Sequence, residues 1–140
     1  MKVRSLKVYC DGASRGNPGP AAIGVVILDQ NNNLLEEYRE FIGMCTNNQA
    51  EYRALIEALN LAARYCKEEV YCFLDSELII RQMNGLYRLK NDKLRELYHK
   101  VKDRERPFKR VRYTHMSDTD PCIKKAHKLA HEALNDSHIR

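Results

Sequence analysis

A chain of 140 residues can enclose one apolar core without staples, and 44% hydrophobic with 31% charged residues is the balance of an ordinary soluble domain. Five cysteines (Cys10, Cys45, Cys66, Cys72, Cys122), odd in number and never spaced as CxxC, argue against a disulfide framework or a zinc site. No apolar run approaches bilayer length, so a cytoplasmic protein with no membrane partner is expected.

Val3–Cys10 alternates, with Leu6, Val8 and Cys10 on one face and Lys7 and Tyr9 on the other, predicting a strand that ends at Asp11. Residues 12–20, rich in Gly and Pro, predict a turn system. Ala21–Leu28 and Leu34–Ile42 predict two more strands around the turn at 29–33, making an antiparallel meander. Thr46-Asn-Asn-Gln49 has capping-box spacing, and the helix after it carries Leu55, Ala58, Leu59, Ala62 and Cys66 on one face. Glu51 precedes Leu55 by four and shares that inward stripe. Val70–Leu74 predicts a strand ending at Asp75, followed by helices over Ser76–Met83 and Asn91–Val101. A fifth strand over Arg110–Thr114 and a helix over Pro121–Leu134, opened by Pro, complete the pattern.

This order predicts an α/β fold: one domain over residues 1–137 with a short tail at 138–140. Its five-stranded mixed sheet has three antiparallel strands plus two parallel ones, flanked by helices. If the first and fourth strands are parallel neighbours, Asp11 and Asp75 emerge at one carboxyl edge, where open α/β sheets bind ligands.

Carboxylates at such positions are costly to bury alone and are stabilised by sharing a cation. Asp11 and Asp75 taken singly also fit turns and strand ends, whereas Glu51 on an apolar stripe does not. Two divalent ions roughly 4 Å apart would activate a water and stabilise a leaving oxygen in phosphodiester cleavage. Charge distribution agrees, because residues 81–112 hold 12 Lys/Arg against 4 Asp/Glu. Such a flank is either a solvated helix face or a surface for a polyanion.

The strings Tyr9-Cys-Asp11-Gly-Ala-Ser-Arg-Gly-Asn17-Pro-Gly-Pro, Thr46-Asn-Asn48-Gln-Ala-Glu51-Tyr and Leu74-Asp75-Ser-Glu resemble type 1 ribonuclease H, in the family's order and roughly at its spacings. The resemblance covers nearly the whole chain. It implies hydrolysis of the RNA strand of an RNA–DNA hybrid by two metal ions, leaving 5′-phosphate and 3′-hydroxyl ends. Asp11, Glu51 and Asp75 fall on three of the family's four metal-binding acids. Ser14, Asn17, Asn47, Asn48 and Gln49 fall where the family meets minor-groove edges and 2′-hydroxyls. Thr46 and Asn91 fall where it holds a DNA-strand phosphate. The same residue types also fit caps and turns.

Two departures from the family pattern stand out. No basic protrusion fits between Asp75 and Asn91, and no N-terminal hybrid-binding module is expected, so grip falls to Arg81, Arg88, Lys90 and Lys93. The resemblance also pairs a loop histidine, matched by His115 and implied to aid product release or relay protons, with a helix aspartate. Here Ala126-His127-Lys-Leu129-Ala130 puts His127 in that slot, about two residues further on. Four after Ile123 and three before Ala130, His127 is expected to face inward. Imidazole is neutral and softer than carboxylate, so an Asp-Glu-Asp-His set would favour Mn²⁺ or Co²⁺ relative to Mg²⁺. Asp118 or Asp120 could supply the missing carboxylate instead. A monomer acting on RNA–DNA hybrid, with duplex RNA as a further substrate to be offered, is the leading expectation. A hybrid- or nucleic-acid-binding protein of weakened turnover is the alternative.

Overall fold

A computed structural model describes residues 2–86 and 88–138. Five strands, β1 (Ser5–Ser14), β2 (Gly19–Asp29), β3 (Leu34–Cys45), β4 (Glu69–Leu74) and β5 (Arg110–His115), form one sheet in the order β3-β2-β1-β4-β5. The β1–β2 and β2–β3 pairs are antiparallel, and the β1–β4 and β4–β5 pairs parallel. Helices α1 (Asn47–Ala62), α2 (Glu77–Met83), α3 (Asp92–Arg104) and α4 (Pro121–His138) flank it. This is the mixed sheet that the element order predicts. Of the expected tail at 138–140, only the His138 backbone lies within the described residues, where it ends α4. No described helix is long and apolar enough to cross a membrane.

The period-two alternation of β1 divides the core. Leu6, Val8 and Cys10 join α1, α2 and α3 in one large apolar cluster. Tyr9 points to the opposite face, against Val26 and the α4 residues Ile123, Ala126 and Leu129. One parity faces α1 and the other α4.

Asp11 does not end the first strand. β1 and β2 stay paired through Gly12↔Ile23, Ala13↔Ala22 and Ser14↔Ala21, so Asp11 lies within the ladder. Small side chains allow the extension, since Ala21 and Ala22 are buried without crowding either helix layer. The expected turn system at 12–20 shrinks accordingly to residues 15–18. Asp75, by contrast, directly follows the last residue of β4, as expected.

Candidate active site

The first turn of α1 is held by the capping box read in the sequence. Gln49 N donates to Thr46 Oγ1 (3.2 Å) and Thr46 N donates to Gln49 Oε1 (3.0 Å). That fixes the phase of the helix and turns Glu51 toward the sheet. The close approach depends on Gly12, because a Cβ there would stand 2.3 Å from the Ala50 carbonyl carbon and 2.5 Å from Glu51 N. Glu51 Oε1 accepts from Gly12 N at 3.3 Å.

Asp11 shares the parity of Tyr9 and lies on the α4 side, paired across the ladder with Gly24. Gly24 is the second point of backbone contact. A Cβ on it would fall 2.0 Å from the Ala126 carbonyl oxygen and 2.9 Å from Ala130 N. Its absence lets α4 settle on β2, which sets His127, next to Ala126, over Asp11. The parallel register Tyr9↔Phe73 places Asp11 and Asp75 two residues beyond one matched pair, at the shared carboxyl edge.

Three carboxylates therefore converge from three elements, with one ligand oxygen each of Asp11, Glu51 and Asp75 within 4.8 Å of one another. Asp11 is 4% and Glu51 8% exposed, and Glu51 Oε2 is buried without a hydrogen-bond partner among the described residues. Burial first, and the Asp75 charge second, push the Asp11 carboxyl up. Burial, then Asp11 and Asp75, push Glu51 well above the ordinary carboxylate range. Crowded acids with an orphaned oxygen fit an oxygen-seeking divalent cation, which would neutralise them together.

The two raised carboxyls set the sign of a pH effect. Folded protein keeps these protons at pH values where the unfolded chain has lost them. That contribution to stability is complete below about pH 4 and vanishes as pH rises through the raised values. In chelator-treated protein, this contribution lowers Tm as pH rises above the ordinary carboxylate range and through the raised values, and a saturating divalent cation flattens the fall. Thermal melts with and without cation measure it; equal slopes would mean that the trio does not bind the cation.

His127 is only partly as expected. Its Nδ1 lies 3.0 Å from Asp11 Oδ2, but the side chain is 58% exposed, not inward-facing. The buried stripe of α4 runs through Ile123, Ala126, Ala130 and Leu134, and position 127 lies at its margin, where the ring leans over the sheet edge. Its ring stands 4.2 Å from that of His131, one turn on, centroid to centroid. Burial, His127 and Arg15, in that order, lower the His131 pKa.

The two loop aspartates divide. Asp120 Oδ1 accepts from Cys122 N (2.8 Å) and Ile123 N (3.1 Å), so it caps α4. Asp118 is exposed and lines one cleft with Asp75, Ile123, Lys124 and His127. His115 is exposed at the end of β5, in register with Leu74 beside Asp75.

The remaining candidates form a hydrogen-bonded rim. Ser14 N donates to Asn47 Oδ1 (3.1 Å), Ser14 Oγ to the Cys45 carbonyl (2.9 Å), and Asn47 N to Asn17 Oδ1 (3.1 Å). Asn48 is half-buried beside them in the first turn of α1. Asn91 caps α3, its Oδ1 accepting from Leu94 N at 2.9 Å. Sequence reasoning missed Gly12, Gly24 and His131. The histidine alone carries a readable signal, the i, i+4 spacing from His127 on one helix.

Comparison with known proteins agrees with this architecture. Residues 9–133 match the family model described as reverse transcriptase-like. The chain is 38% identical over 132 residues to ribonuclease HI of Halobacterium salinarum, covering 94% of this chain and 65% of the relative, just under two thirds of its length. The crystal structure of RNase H1 from Halobacterium salinarum NRC-1 superposes with a TM-score of 0.90 at 37% identity, covering 94% of this chain and 98% of that one. LC11-RNase H1, crystallised in complex with an RNA/DNA hybrid, superposes with a TM-score of 0.87 at 37% identity over 95% of this chain and 99% of that one. Sheet order, convergent acids and these likenesses agree: the chain belongs to the type 1 ribonuclease H family.

Proposed function

We propose that this protein is a metal-dependent endonuclease that hydrolyses the RNA strand of RNA–DNA hybrids, leaving 5′-phosphate and 3′-hydroxyl ends. The observation that carries the reading is the convergence of Asp11, Glu51 and Asp75, with a buried Glu51 oxygen left unpartnered among the described residues. The hybrid bound to LC11-RNase H1, a structural neighbour at 37% identity, supports the substrate class.

Asp11, Glu51, Asp75 and His127 would hold two divalent ions, Mg²⁺ or Mn²⁺, with Co²⁺ a further candidate. Bound there, the ions would supply an activated water and charge stabilisation at the leaving oxygen. The chain's own residues do the rest. Gly12 and the capping box hold Glu51 against Asp11. The Ser14–Asn17–Asn47 rim, with Asn48 and Gln49 beside it, presents amides and backbone groups to 2′-hydroxyls, the atoms that distinguish RNA from DNA. Thr46 and Asn91 flank the DNA-strand phosphate. Arg88 and Arg95 line a groove with Tyr98 and His99 at the α2–α3 junction, suited to phosphates further along. His115, at the same sheet edge, relays protons or helps product leave.

The deciding assay offers labelled RNA–DNA hybrid, duplex RNA and duplex DNA with Mg²⁺, with Mn²⁺, or with chelator. Metal-dependent cutting of the RNA strand in hybrid is expected. Binding without cleavage under any metal would leave a hybrid-binding protein of weakened turnover, the reading that a histidine in the aspartate slot favours. His127→Asp should raise Mg²⁺-supported cleavage and lower the Mn²⁺/Mg²⁺ activity ratio. An unchanged ratio in a metal titration would remove His127 from the metal shell.

A further inference from the structure

Helix α4 distributes its charges unevenly around its axis. Its acids turn to β3, where Arg39 holds Glu132 at 3.6 Å and Asp136 at 2.8 Å. Lys125 turns the same way and pairs with Glu37 of β3 at 3.7 Å. Lys124, about 100° away around the helix, is exposed and lines the cleft beside Asp75, together with Asp118, Ile123 and His127. It makes no ion pair among the described residues, and its ammonium is the one full positive charge among those that line this cleft. The cleft encloses about 280 Å³, below the roughly 300–1,000 Å³ of pockets that take a whole small molecule, and so suits a fragment such as one phosphate of a polymer. Lys124 also starts from a fixed base. Its N–H donates to the Asp120 carbonyl at 2.9 Å in the first turn of α4, and Ala126, two residues on, is seated against Gly24.

We propose that Lys124 holds the RNA strand directly, its ammonium donating to a non-bridging oxygen of the phosphate at or next to the cut. This rests on the hybrid-cleaving reading given above. It places a protein cation at the reacting end of the site, apart from Arg88 and Arg95 at the α2–α3 junction. Asp75 and Asp118 alone would repel an anion, but once the carboxylate trio is neutralised, Lys124 leaves the cleft attractive to one. Lysine suits the task because its compact charge on a four-carbon stem can follow a phosphate as the strand seats, and its hydrogen bond to that phosphate is charge-assisted.

The rival role is a resident counter-ion that only offsets Asp75 and Asp118. Lys124→Ala removes the charge, Lys124→Arg keeps it, and Lys125→Ala removes an equal charge next to it but outside the cleft. Each is made in Asp11→Asn protein, which should bind hybrid without cutting it, and circular dichroism checks that each is folded. Hybrid affinity is followed by fluorescence anisotropy in Mg²⁺ over a range of salt. Lys124→Ala should weaken binding about tenfold, the worth of one hydrogen bond to a charged group. It should also lower the slope of log K against log salt by about 0.7 to 0.9, one phosphate contact. Lys124→Arg should restore both, and Lys125→Ala should change them little. Hybrids with one uncharged methylphosphonate linkage, moved along the RNA strand, locate the contact. With that linkage at or next to the cut, Lys124→Ala should cost nothing further, because its partner is already gone. Unchanged affinity and slope in Lys124→Ala would overturn the proposal, and a higher Mg²⁺ affinity without nucleic acid would then establish the counter-ion. Equal losses in Lys124→Ala and Lys125→Ala, or a loss that no neutral linkage masks, would also overturn it while leaving the nuclease intact. Wild-type protein that neither binds nor cuts hybrid would bring down the proposed function as well.

Discussion

Replacing Asp11 by Asn should abolish cleavage of RNA–DNA hybrid while making the metal-free protein more stable. A ligand oxygen of Asp11 lies within 4.8 Å of those of Glu51 and Asp75, and its Oδ2 lies 3.0 Å from His127 Nδ1. An amide of the same shape keeps the fold and removes one charge from the cation shell. Loss of a carboxylate that would hold a cation is worth several kcal/mol of charge stabilisation, or about three orders of magnitude in rate. The same charge works against metal-free protein, because it crowds Glu51 and Asp75 within 4.8 Å and, after burial, is the largest influence raising the Glu51 pKa. The variant should therefore melt higher than wild type in chelator and gain less from added Mg²⁺ or Mn²⁺. Cleavage rates, hybrid binding and paired melts measure it. Near-wild-type turnover would defeat the mechanism, and a lower metal-free Tm would defeat the electrostatic account.

Gly12→Ala should cost about 3 kcal/mol of stability and most of the activity, the upper end expected for overpacking a buried contact. The added methyl would meet the Ala50 carbonyl carbon at 2.3 Å, its oxygen at 2.4 Å and Glu51 N at 2.5 Å. All three are backbone atoms of the first turns of α1, so no side chain can swing aside. Either α1 lifts away from β1, opening the cluster around Cys10 and Leu55, or the strand bends. Both displace Glu51. For a chain of this length the loss corresponds to a Tm about 10 °C lower. Calorimetry with a metal titration would show the two effects together; unchanged melting would mean that α1 has slack here.

Much of this molecule is written locally. The capping box at Thr46, the alternation of β1 and the apolar stripe of α1 each depend on neighbours within a few residues, and together they orient Glu51 and Asp11. Element order links the acids, because β4 follows a helix and must return parallel to its neighbour. Features set by distant segments are not legible in this way. Gly24 looks like any glycine in an apolar strand until α4 is laid across it. His127 has the spacing of a buried residue, yet the helix presents it at the margin of its stripe. Asp120 is different, since an Asp directly before a Pro that opens a helix is an N-cap signal. Its capping role is therefore legible in the sequence, and that signal outweighs the ligand reading.

The seating of α4 on Gly24 has one more consequence. Helix position is fixed by backbone meeting backbone at Ala126 and Ala130, well past the segment 116–120 that leads into the helix. That segment is tied by its own short hydrogen bonds, Met116 N to the Leu74 carbonyl and Asp120 N to the Ser117 carbonyl, while the helix beyond it is seated independently. Residues added there would leave His127 in register with Asp11, because the contact that seats the helix lies beyond them.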